Sequence, residues 1–431
     1  MLSQVGSIWS FAFSRVSSRV VVATGLAVSS AFNFVGLLLC VRLLTPEEFG
    51  ALSLVTSAAL MLNALGFEWL RLAGARSLTD PGAPDGISLS RLAAWLRVAG
   101  VLAFTFLVGT LGASALGLAP PSLLPRWNGP ILLLALSEMP FAAVTLVARL
   151  RLSAGRYATA MVLRSALALA GGTLLVLGGG GALAIVAATA AAQLGVSALV
   201  IGGDRLWRNA ILQRSTRMHR TNLVRLGAPL ILSSALAFAA GTVDRYLVAT
   251  TLGVAAVGHY SAPAEMVAKT LGFALLAINL GAYPLLVRTY ERDGPAAAAA
   301  ALNRNLLLLL GAGSPILLAM VLFPHPIARL LLGSASPPIT GDLLPWLAAA
   351  ALLRLLVTFH FAVALQLARR MALLAIPSMV TLALLMPFAS GVIAARGLVG
   401  FAQLLFAAQG AGAITGWWLA RRALPRRPRQ G

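Results

Sequence analysis

Four ionisable side chains lie within one long apolar stretch, Gly227–Pro284, and are the best candidates for chemistry in this sequence. Asp244 and Arg245 precede a predicted turn, and Glu265 and Lys269 follow it. Each acid lies nine residues from the turn, so two helices rising about 1.5 Å per residue would hold the charges at matching depth. Charged groups inside a bilayer are costly and normally face a helix-bundle interior or a wet cavity. The spacing therefore predicts either a structural clasp between two helices or the wall of a transport path.

The apolar runs contain more cations than acids. If Asp244/Arg245 and Glu265/Lys269 neutralise one another across the two helices, the remaining arginines have no local partner. Arg354 lies nearest the middle of its run, whereas Arg164 is close enough to a membrane surface for its side chain to extend there instead. The full set comprises the cations Arg97, Arg164, Arg245, Lys269 and Arg354 and the acids Glu138, Asp244 and Glu265. Four of these cations are candidates for binding an anionic substrate, in the order Arg354, Arg245, Lys269 and Arg164.

The acids have two possible roles. Glu138, which stands before Met139-Pro140, is either paired with an arginine beside a proline kink or is a site where proton or sodium binding drives transport. Asp244 and Glu265 are rival candidates for that coupling role. No cofactor is expected, and no set of His, Cys and carboxylate residues has the spacing of a metal site.

The composition is that of an integral membrane protein. Of 431 residues, 59% are hydrophobic and 10% charged, against about 25% charged in soluble domains. The apolar runs are long enough for helices to cross the bilayer, and the short alternating segments of a β-barrel do not occur. The net charge of +21 comes from arginines spaced between these runs rather than along one basic face, which argues against nucleic-acid binding.

The sequence predicts twelve membrane-spanning helices. Assigning alternate loops to the two sides places 24 arginines on one side and four on the other, so both termini are predicted to be cytoplasmic. We expect an N-terminal lobe of six helices (1–203), a basic cytoplasmic linker (204–225) and a C-terminal lobe of six helices with a basic tail (226–431). The predicted spans are Val20–Leu44, Glu47–Leu70, Leu92–Leu118, Pro130–Leu150, Ala158–Leu177, Leu183–Ile201, Leu223–Leu252, Val257–Leu286, Ala300–Phe323, Leu343–Leu367, Met371–Ala395 and Leu398–Leu419.

The two predicted lobes share a short internal repeat. Leu44–Ser53 aligns with Leu252–Ser261 at an offset of 208 residues, and each segment forms the outer turn between the first two helices of its lobe. In the first copy Thr45 is a predicted N-cap, followed by proline at the first helical position and glutamate at the third. Lobes of six spans keep the same orientation in the membrane, so they would be parallel repeats with a cleft between them.

At these residues the chain resembles the polysaccharide-transporter branch of the multidrug/oligosaccharidyl-lipid/polysaccharide (MOP) exporter superfamily, which includes Wzx-type flippases. The resemblance rests on RLLTPEEFGALSLV and NALGFEWLRLAGAR within Ala31–Arg76, on TVDRYLVATTLGVAAVGHYSA within Ala237–Ala264, and on RLRLSAGRY at Arg149–Tyr157. It implies an all-α, MATE-like polytopic fold of two pseudo-symmetric six-helix lobes around a cationic cavity that opens to each leaflet in turn.

The expected function is to flip an anionic lipid-linked saccharide, such as a polyprenyl-diphosphate-oligosaccharide, across the bacterial inner membrane for O-antigen, capsule or exopolysaccharide assembly. Guanidinium groups suit this substrate because they bind phosphate oxygens in pairs. Membrane lipids and other polysaccharide assembly proteins are the expected partners. The alternatives are a cation-coupled multidrug or small-molecule exporter of the same superfamily and a polytopic saccharide polymerase. The arginine surplus argues against cationic drugs, and the short connections argue against an enzyme.

Overall fold

The structure is a computed structural model that describes residues 18–80, 82, 86–115, 127–213, 215–333 and 337–423. Within these ranges the chain is helical, and the one β interaction is an isolated bridge between Thr79 and Ile87. The predicted all-α architecture is confirmed. The predicted end of the third span, Leu118, and the basic tail beyond Ala423 lie outside the described residues.

The described residues contain ten helical stretches long and apolar enough to cross a membrane. This pattern confirms the prediction of a multi-pass membrane protein. The stretches are Val20–Leu43, Pro46–Ala75, Leu89–Gly109, Asn128–Leu150, Ala154–Leu177, Gly181–Gly203, Ile231–Leu252, Val254–Leu322, Ile339–Leu367 and Leu373–Ala423.

Two of these helices are too long for a single crossing. Val254–Leu322 has 69 residues and Ile376–Ala423 has 48, whereas about 20 residues span the hydrocarbon core. Each is interrupted by a glycine with a positive backbone angle, Gly294 (φ 83°) and Gly397 (φ 62°), which breaks the regular helix into two arms. Each glycine falls where the sequence predicts the end of one span and the start of the next.

Shorter elements connect or interrupt the spans. The predicted separation of the fifth and sixth spans is confirmed, because Ala154–Leu177 and Gly181–Gly203 are distinct helices. One π-helical segment follows Pro46–Asn63 and another follows Ile339–Leu356. The remaining elements are the helices Trp69–Ser77, Arg205–Leu212, Arg217–Leu252, Pro324–Leu332 and Ala362–Leu367, the π segments Ala64–Glu68 and Val357–Phe361, and the 3₁₀ turn Met371–Ala375.

The chain forms two compact units. The first comprises Met1–Gly36 and Val55–Ala235, and the second Leu37–Leu54 and Leu236–Gly431. The core of the first unit is built around Trp69, Trp95 and Trp207, which are almost fully buried. The indole N–H of Trp95 donates to the Leu70 carbonyl over 2.8 Å, which satisfies the polar atom of a buried ring.

The second unit is centred on Ile339–Leu356, which packs against Val254–Leu322 and Ile376–Ala423. Tyr260 is fully buried within this unit, and its ring lies 5.6 Å from that of Phe401. The predicted cap at Thr45 is confirmed in the same unit. The Glu48 N–H donates to Thr45 Oγ1 over 3.2 Å, and the Thr45 N–H donates to the Glu48 carboxylate over 3.0 Å.

Candidate functional site

Two helices bring three predicted site residues together around a small cavity of the second unit. Asp244 and Arg245 come from Arg217–Leu252, and Arg354 comes from the last turn of Ile339–Leu356. The cavity has a volume of about 50 Å³, which is room for one or two water molecules. It is therefore a polar cavity, large enough to admit water, within an apolar unit. Tyr260 and Gln409 complete its polar lining.

Asp244 is held by groups that carry no charge. Its side chain is buried, with 9% of the residue exposed. One carboxylate oxygen accepts the Arg245 backbone N–H at 3.0 Å, and the other accepts the Tyr260 hydroxyl at 2.8 Å. Two hydrogen bonds partly compensate for removing the carboxylate from water. The sequence analysis named Asp244 but missed Tyr260. The only indication of this residue in the sequence was the presence of a tyrosine within an apolar run.

One ion pair joins the two facing helices, as the clasp interpretation expects. Arg245 Nη2 lies 3.5 Å from Glu265 Oε1, so these two of the four predicted charges neutralise each other from one helix to the next. Among the residues that the structure describes, Lys269 forms no ion pair. It is therefore a half-buried cation without the predicted partner.

Arg354 retains its unpaired charge. Its Nη1 donates to the Gly241 carbonyl over 3.4 Å, and within the described ranges no carboxylate lies at ion-pair distance. A Cβ at position 241 would lie 2.8 Å from that same nitrogen, so a larger residue there would require the end of the Arg354 side chain to shift. The guanidinium therefore contacts a backbone carbonyl rather than a carboxylate. This guanidinium shares its cavity with the already hydrogen-bonded Asp244.

Arg164 and Glu138 meet in the first unit, which corrects the expectation that Arg164 has no local partner. Their Nη1 and Oε2 atoms are 3.9 Å apart, and the guanidinium also lies 4.9 Å from the centre of the Phe141 ring. Neither the predicted surface extension of Arg164 nor a fully unpaired cation is observed. A carboxylate and an aromatic ring close by offset the cost of burying the guanidinium, so it remains within the helices.

Two further polar residues in the first unit were missed by the sequence analysis. The Gln193 side-chain amide donates to the Glu138 carboxylate, and the Ser137 hydroxyl donates to the Gln193 carbonyl oxygen. Both are nearly fully buried. The available signal was a glutamine in the middle of the apolar run Gly181–Gly203. Glu138 therefore lies in a small polar network rather than in a simple ion pair.

The two copies of the repeated turn pack directly against each other in the second unit. A Cβ on Gly50 would lie 2.1 Å from the Val254 carbonyl oxygen, and one on Gly258 would lie 1.9 Å from the Pro46 carbonyl oxygen. The 208-residue offset pairs Pro46 with Val254 and Gly50 with Gly258, so the contact is reciprocal. Only glycine permits backbones to approach this closely. The hydroxyl of Tyr246 adds a hydrogen bond to the Leu54 carbonyl at 3.0 Å.

Solved structures with a similar fold are membrane transporters. A lipid II flippase MurJ in an inward closed conformation aligns with a TM-score of 0.71 and 12% identity, covering 93% of this chain and 87% of that chain. An inward-facing multidrug resistance MATE family transporter of the MOP superfamily aligns at 0.65 and 18%, covering 92% and 94%. The Vibrio cholerae MATE transporter VcmN aligns at 0.62 and 17%, covering 95% and 96%. The fold is therefore that of the MOP superfamily transporters.

The sequence identifies the family. Residues 98–338, more than half of the chain, match the polysaccharide biosynthesis protein family, and the chain belongs to that family. A comparison with curated protein sequences finds no match. The family places this multi-pass membrane protein in polysaccharide biosynthesis, and its fold is the one that these solved transporters share, as the resemblance implied.

Proposed function

We propose that this transporter flips an anionic lipid-linked saccharide, a polyprenyl diphosphate that carries an oligosaccharide, across the bacterial inner membrane. The family supports a saccharide substrate, and one solved relative is described as a lipid II flippase. O-antigen, capsule or exopolysaccharide assembly is the process that such a substrate would serve. The hydrocarbon tail stays in lipid, and the protein has to carry the diphosphate and sugars through.

The observation that carries this proposal is the Arg354 guanidinium, which lines the cavity and has no carboxylate at ion-pair distance among the described residues. The two carboxylates Asp244 and Glu265 lie near three cations, Arg245, Lys269 and Arg354. Glu265 pairs with Arg245, and Asp244 accepts a hydrogen bond from a neutral hydroxyl. Arg354 and Lys269 therefore remain available to attract a diphosphate. A guanidinium presents several N–H donors that match phosphate oxygens, and its charge persists at any physiological pH. Arg245 and, in the first unit, Arg164 are the secondary candidates, because each already has an acidic neighbour.

The cavity beside Arg354 has to enlarge before a substrate can enter. About 50 Å³ is far smaller than the 300–1,000 Å³ of typical small-molecule sites. We propose alternating access, in which the reciprocal contact of Gly50 and Gly258 closes the outer side and its separation opens that side. The two glycines are the residues that allow closure, because any side chain there would hold the backbones apart.

The proposed topology has twelve crossings with both termini cytoplasmic. The ten apolar stretches, two of them divided at Gly294 and Gly397, support that number, and the arginine asymmetry supports the orientation. The proposed lobes remain residues 1–203 and 226–431, joined by the basic linker 204–225.

Glu138 is the strongest candidate for the coupling acid, ahead of Asp244 and Glu265. Its arginine partner is 3.9 Å away and its hydrogen-bond donor is a neutral amide, so proton or sodium binding would displace no tight ion pair. Glu265 lies closer to its arginine, and both oxygens of Asp244 are already occupied. Transport by Glu138→Gln should no longer respond to an imposed proton or sodium gradient, whereas Glu291→Gln, an exposed change, should leave the response intact.

The proposal is tested with the full chain reconstituted in proteoliposomes that contain a fluorescent polyprenyl-diphosphate-oligosaccharide. We expect saturable loss of label from the outer face, and no movement of a matched lipid whose diphosphate is replaced by an uncharged linker. A cationic drug should not compete. Movement of the drug instead of the lipid would favour the multidrug exporter, to which MATE relatives lend support.

A further inference from the structure

A second and larger cavity lies beside the repeated turns of the second unit. It has a volume of about 410 Å³, within the usual range for ligand sites. Both copies of the turn contribute to its wall, together with residues at and after the end of helix Pro324–Leu332. The residues that matter here are Arg42, Leu44, Phe49, His259, Ala262 and Leu332. None of them belongs to the polar cluster around Arg354.

The polar character of this cavity is basic. Arg42 and His259 are its basic residues, and none of its described lining residues is acidic. The neighbouring carboxylates have other partners. Glu48 accepts both the N–H and the hydroxyl of Thr45, and Asp342 lies 3.5 Å from the imidazole of His325. The cavity therefore favours an anion.

Both basic side chains have donors to spare. Arg42 Nη2 donates to the Leu330 carbonyl over 3.2 Å, which fixes the guanidinium at the end of helix Pro324–Leu332 while its other N–H groups are available. Within the described part of the chain, His259 makes no hydrogen bond to a protein group. A histidine donates at least one N–H in either protonation state, so it can bind a phosphate oxygen beside the arginine.

The surroundings indicate that the anion belongs to a lipid. Leu44, Phe49 and Leu332 provide a buried apolar wall next to the two basic groups. Helix Pro324–Leu332 presents Leu330, 73% exposed, on its outer side, and Phe323 just before the helix is 57% exposed. Large apolar side chains exposed on a short helix beside a basic residue are typical of an element at the membrane interface.

We infer that this cavity binds the phosphate head group of an anionic lipid, with Arg42 and His259 as its donors and the apolar wall receiving the start of the hydrocarbon chain. On the orientation proposed above, the lipid belongs to the outer leaflet. Because Pro46 and Gly258 line both the cavity and the glycine contact, a bound lipid would touch the two turns where they meet. This site is distinct from the cavity around Arg354, and lipid binding there does not require that cavity to bind a substrate.

The test is native mass spectrometry of the purified full chain titrated with phosphatidylglycerol, polyprenyl phosphate, phosphatidylcholine or inorganic pyrophosphate. We expect the two anionic lipids to bind and the zwitterionic lipid and the free anion to bind at least about tenfold more weakly. Arg42→Gln and His259→Ala should each weaken anionic-lipid binding about tenfold, the scale of one lost charge-assisted hydrogen bond. A stronger response to polyprenyl phosphate than to phosphatidylglycerol would identify the preferred lipid.

The control is Arg396→Gln, which removes an exposed arginine outside the cavity and should leave binding unchanged. Equal binding of phosphatidylcholine, or wild-type binding by both Arg42→Gln and His259→Ala, would overturn the inference. If Arg42→Gln lowers thermal stability without changing lipid binding, and His259→Ala also binds lipid normally, Arg42 serves solely to cap helix Pro324–Leu332. The inference then also fails. Should Arg42→Gln not fold, His259→Ala alone decides the outcome.

Discussion

Individual pairings, rather than the number of charges, determine which cations of this transporter are available to a substrate. Arg245 lies beside Glu265 and Arg164 beside Glu138, whereas Arg354 and Lys269 have no carboxylate at ion-pair distance among the described residues. The same charged residues in other pairings would leave different positive groups available to a substrate. Substituting a paired cation should therefore mainly reduce the stability of the fold, whereas substituting an unpaired cation should mainly reduce transport.

Exchanging the charges of Arg245 and Glu265 tests the pairing directly. Arg245→Glu and Glu265→Arg should each reduce folded protein in the membrane, because breaking a buried ion pair costs on the order of 3 kcal/mol. The double variant should recover much of that loss in a thermal-unfolding assay. If the pair Glu265→Lys with Lys269→Glu recovers stability and the Arg245 swap does not, the pairing along one helix would be correct instead.

The identities of the charged groups could be predicted from sequence, but their pairings could not. Ionisable residues inside apolar runs are visible in any single sequence, and Asp244, Arg354 and Glu138 were found that way. Which guanidinium reaches which carboxylate depends on helix rotation and packing, which the spacing of Glu265 and Lys269 does not encode. Tyr260 and Gln193 were missed because neutral polar residues are common in membrane helices.

At the scale of elements, the two turns of the repeat form one close contact. Their similarity was visible in the sequence as the 208-residue offset, but their reciprocal packing was not. Gly50 against Val254 and Gly258 against Pro46 leave no room for a Cβ. The repeat thus has a physical reason, since a symmetric contact requires glycine at both equivalent positions.

Adding a methyl group should prevent this contact from closing. In a Cys40→Ser background, Ser261→Cys places a thiol at a fully buried position of the second turn. Gly50→Ala and Gly258→Ala should each increase labelling of that thiol by a membrane-impermeant maleimide several-fold, because the Cβ would overlap a carbonyl oxygen. Gly272→Ala, where no atom lies within 4 Å, should not change labelling. Unchanged labelling in both turn variants would show that the contact does not close the outer side.

The predicted basic linker begins with a defined capping interaction. Asp204 caps helix Arg205–Leu212 by accepting the Leu206 N–H at 3.0 Å, and it pairs with Arg151 and, at 2.7 Å, with Arg156. Partial burial acts to raise the pKa of this carboxyl, but the Leu206 N–H and the two arginines lower the pKa overall. The charged form is therefore the one that stabilises the fold.

The lowered pKa of Asp204 predicts how the stability of the fold depends on pH. A carboxyl whose pKa is lower in the folded state contributes stability above its unfolded pKa of about 3.9 and loses it as the pH falls through the folded value. Asp204→Asn should lower the melting temperature at pH 7 and flatten its fall between about pH 5 and pH 3. Asp293→Asn, at an exposed position, should melt like the wild type. An unaltered melting temperature in Asp204→Asn would contradict the capping role.

For the whole molecule, composition and the lengths of the apolar runs were sufficient to predict an all-α membrane protein, whereas the transporter class came from the resemblance of its motifs to a known family. The hydrophobic runs are so long that few alternatives exist, and the predicted spans agree with the helical stretches to within a few residues at most of their ends. The sequence placed span boundaries near Gly294 and Gly397 but could not predict that a single glycine with a positive φ would join the two helices at each of them. It also could not predict cavity size, because a volume of about 50 Å³ reflects how closely the helices approach.

The orientation in the membrane is open to a simple test. A fluorescent protein fused after Gly431 should fold and fluoresce, because the arginine asymmetry places the C-terminus in the cytoplasm. Alkaline phosphatase at the same position should be inactive, and phosphatase inserted after Gly333 should be active. Activity of the C-terminal phosphatase fusion would reverse the proposed topology.

The most direct measurement is the rate at which proteoliposomes containing Arg354→Ala flip a polyprenyl-diphosphate-oligosaccharide. We expect at least a hundredfold loss relative to wild type, since removing charge-assisted phosphate contacts in a site of low polarity costs about 3 kcal/mol. Arg354→Lys should restore part of the rate, and the exposed change Arg396→Ala should have no effect. Flipping by Arg354→Ala at the wild-type rate would contradict the assignment of this guanidinium to the substrate.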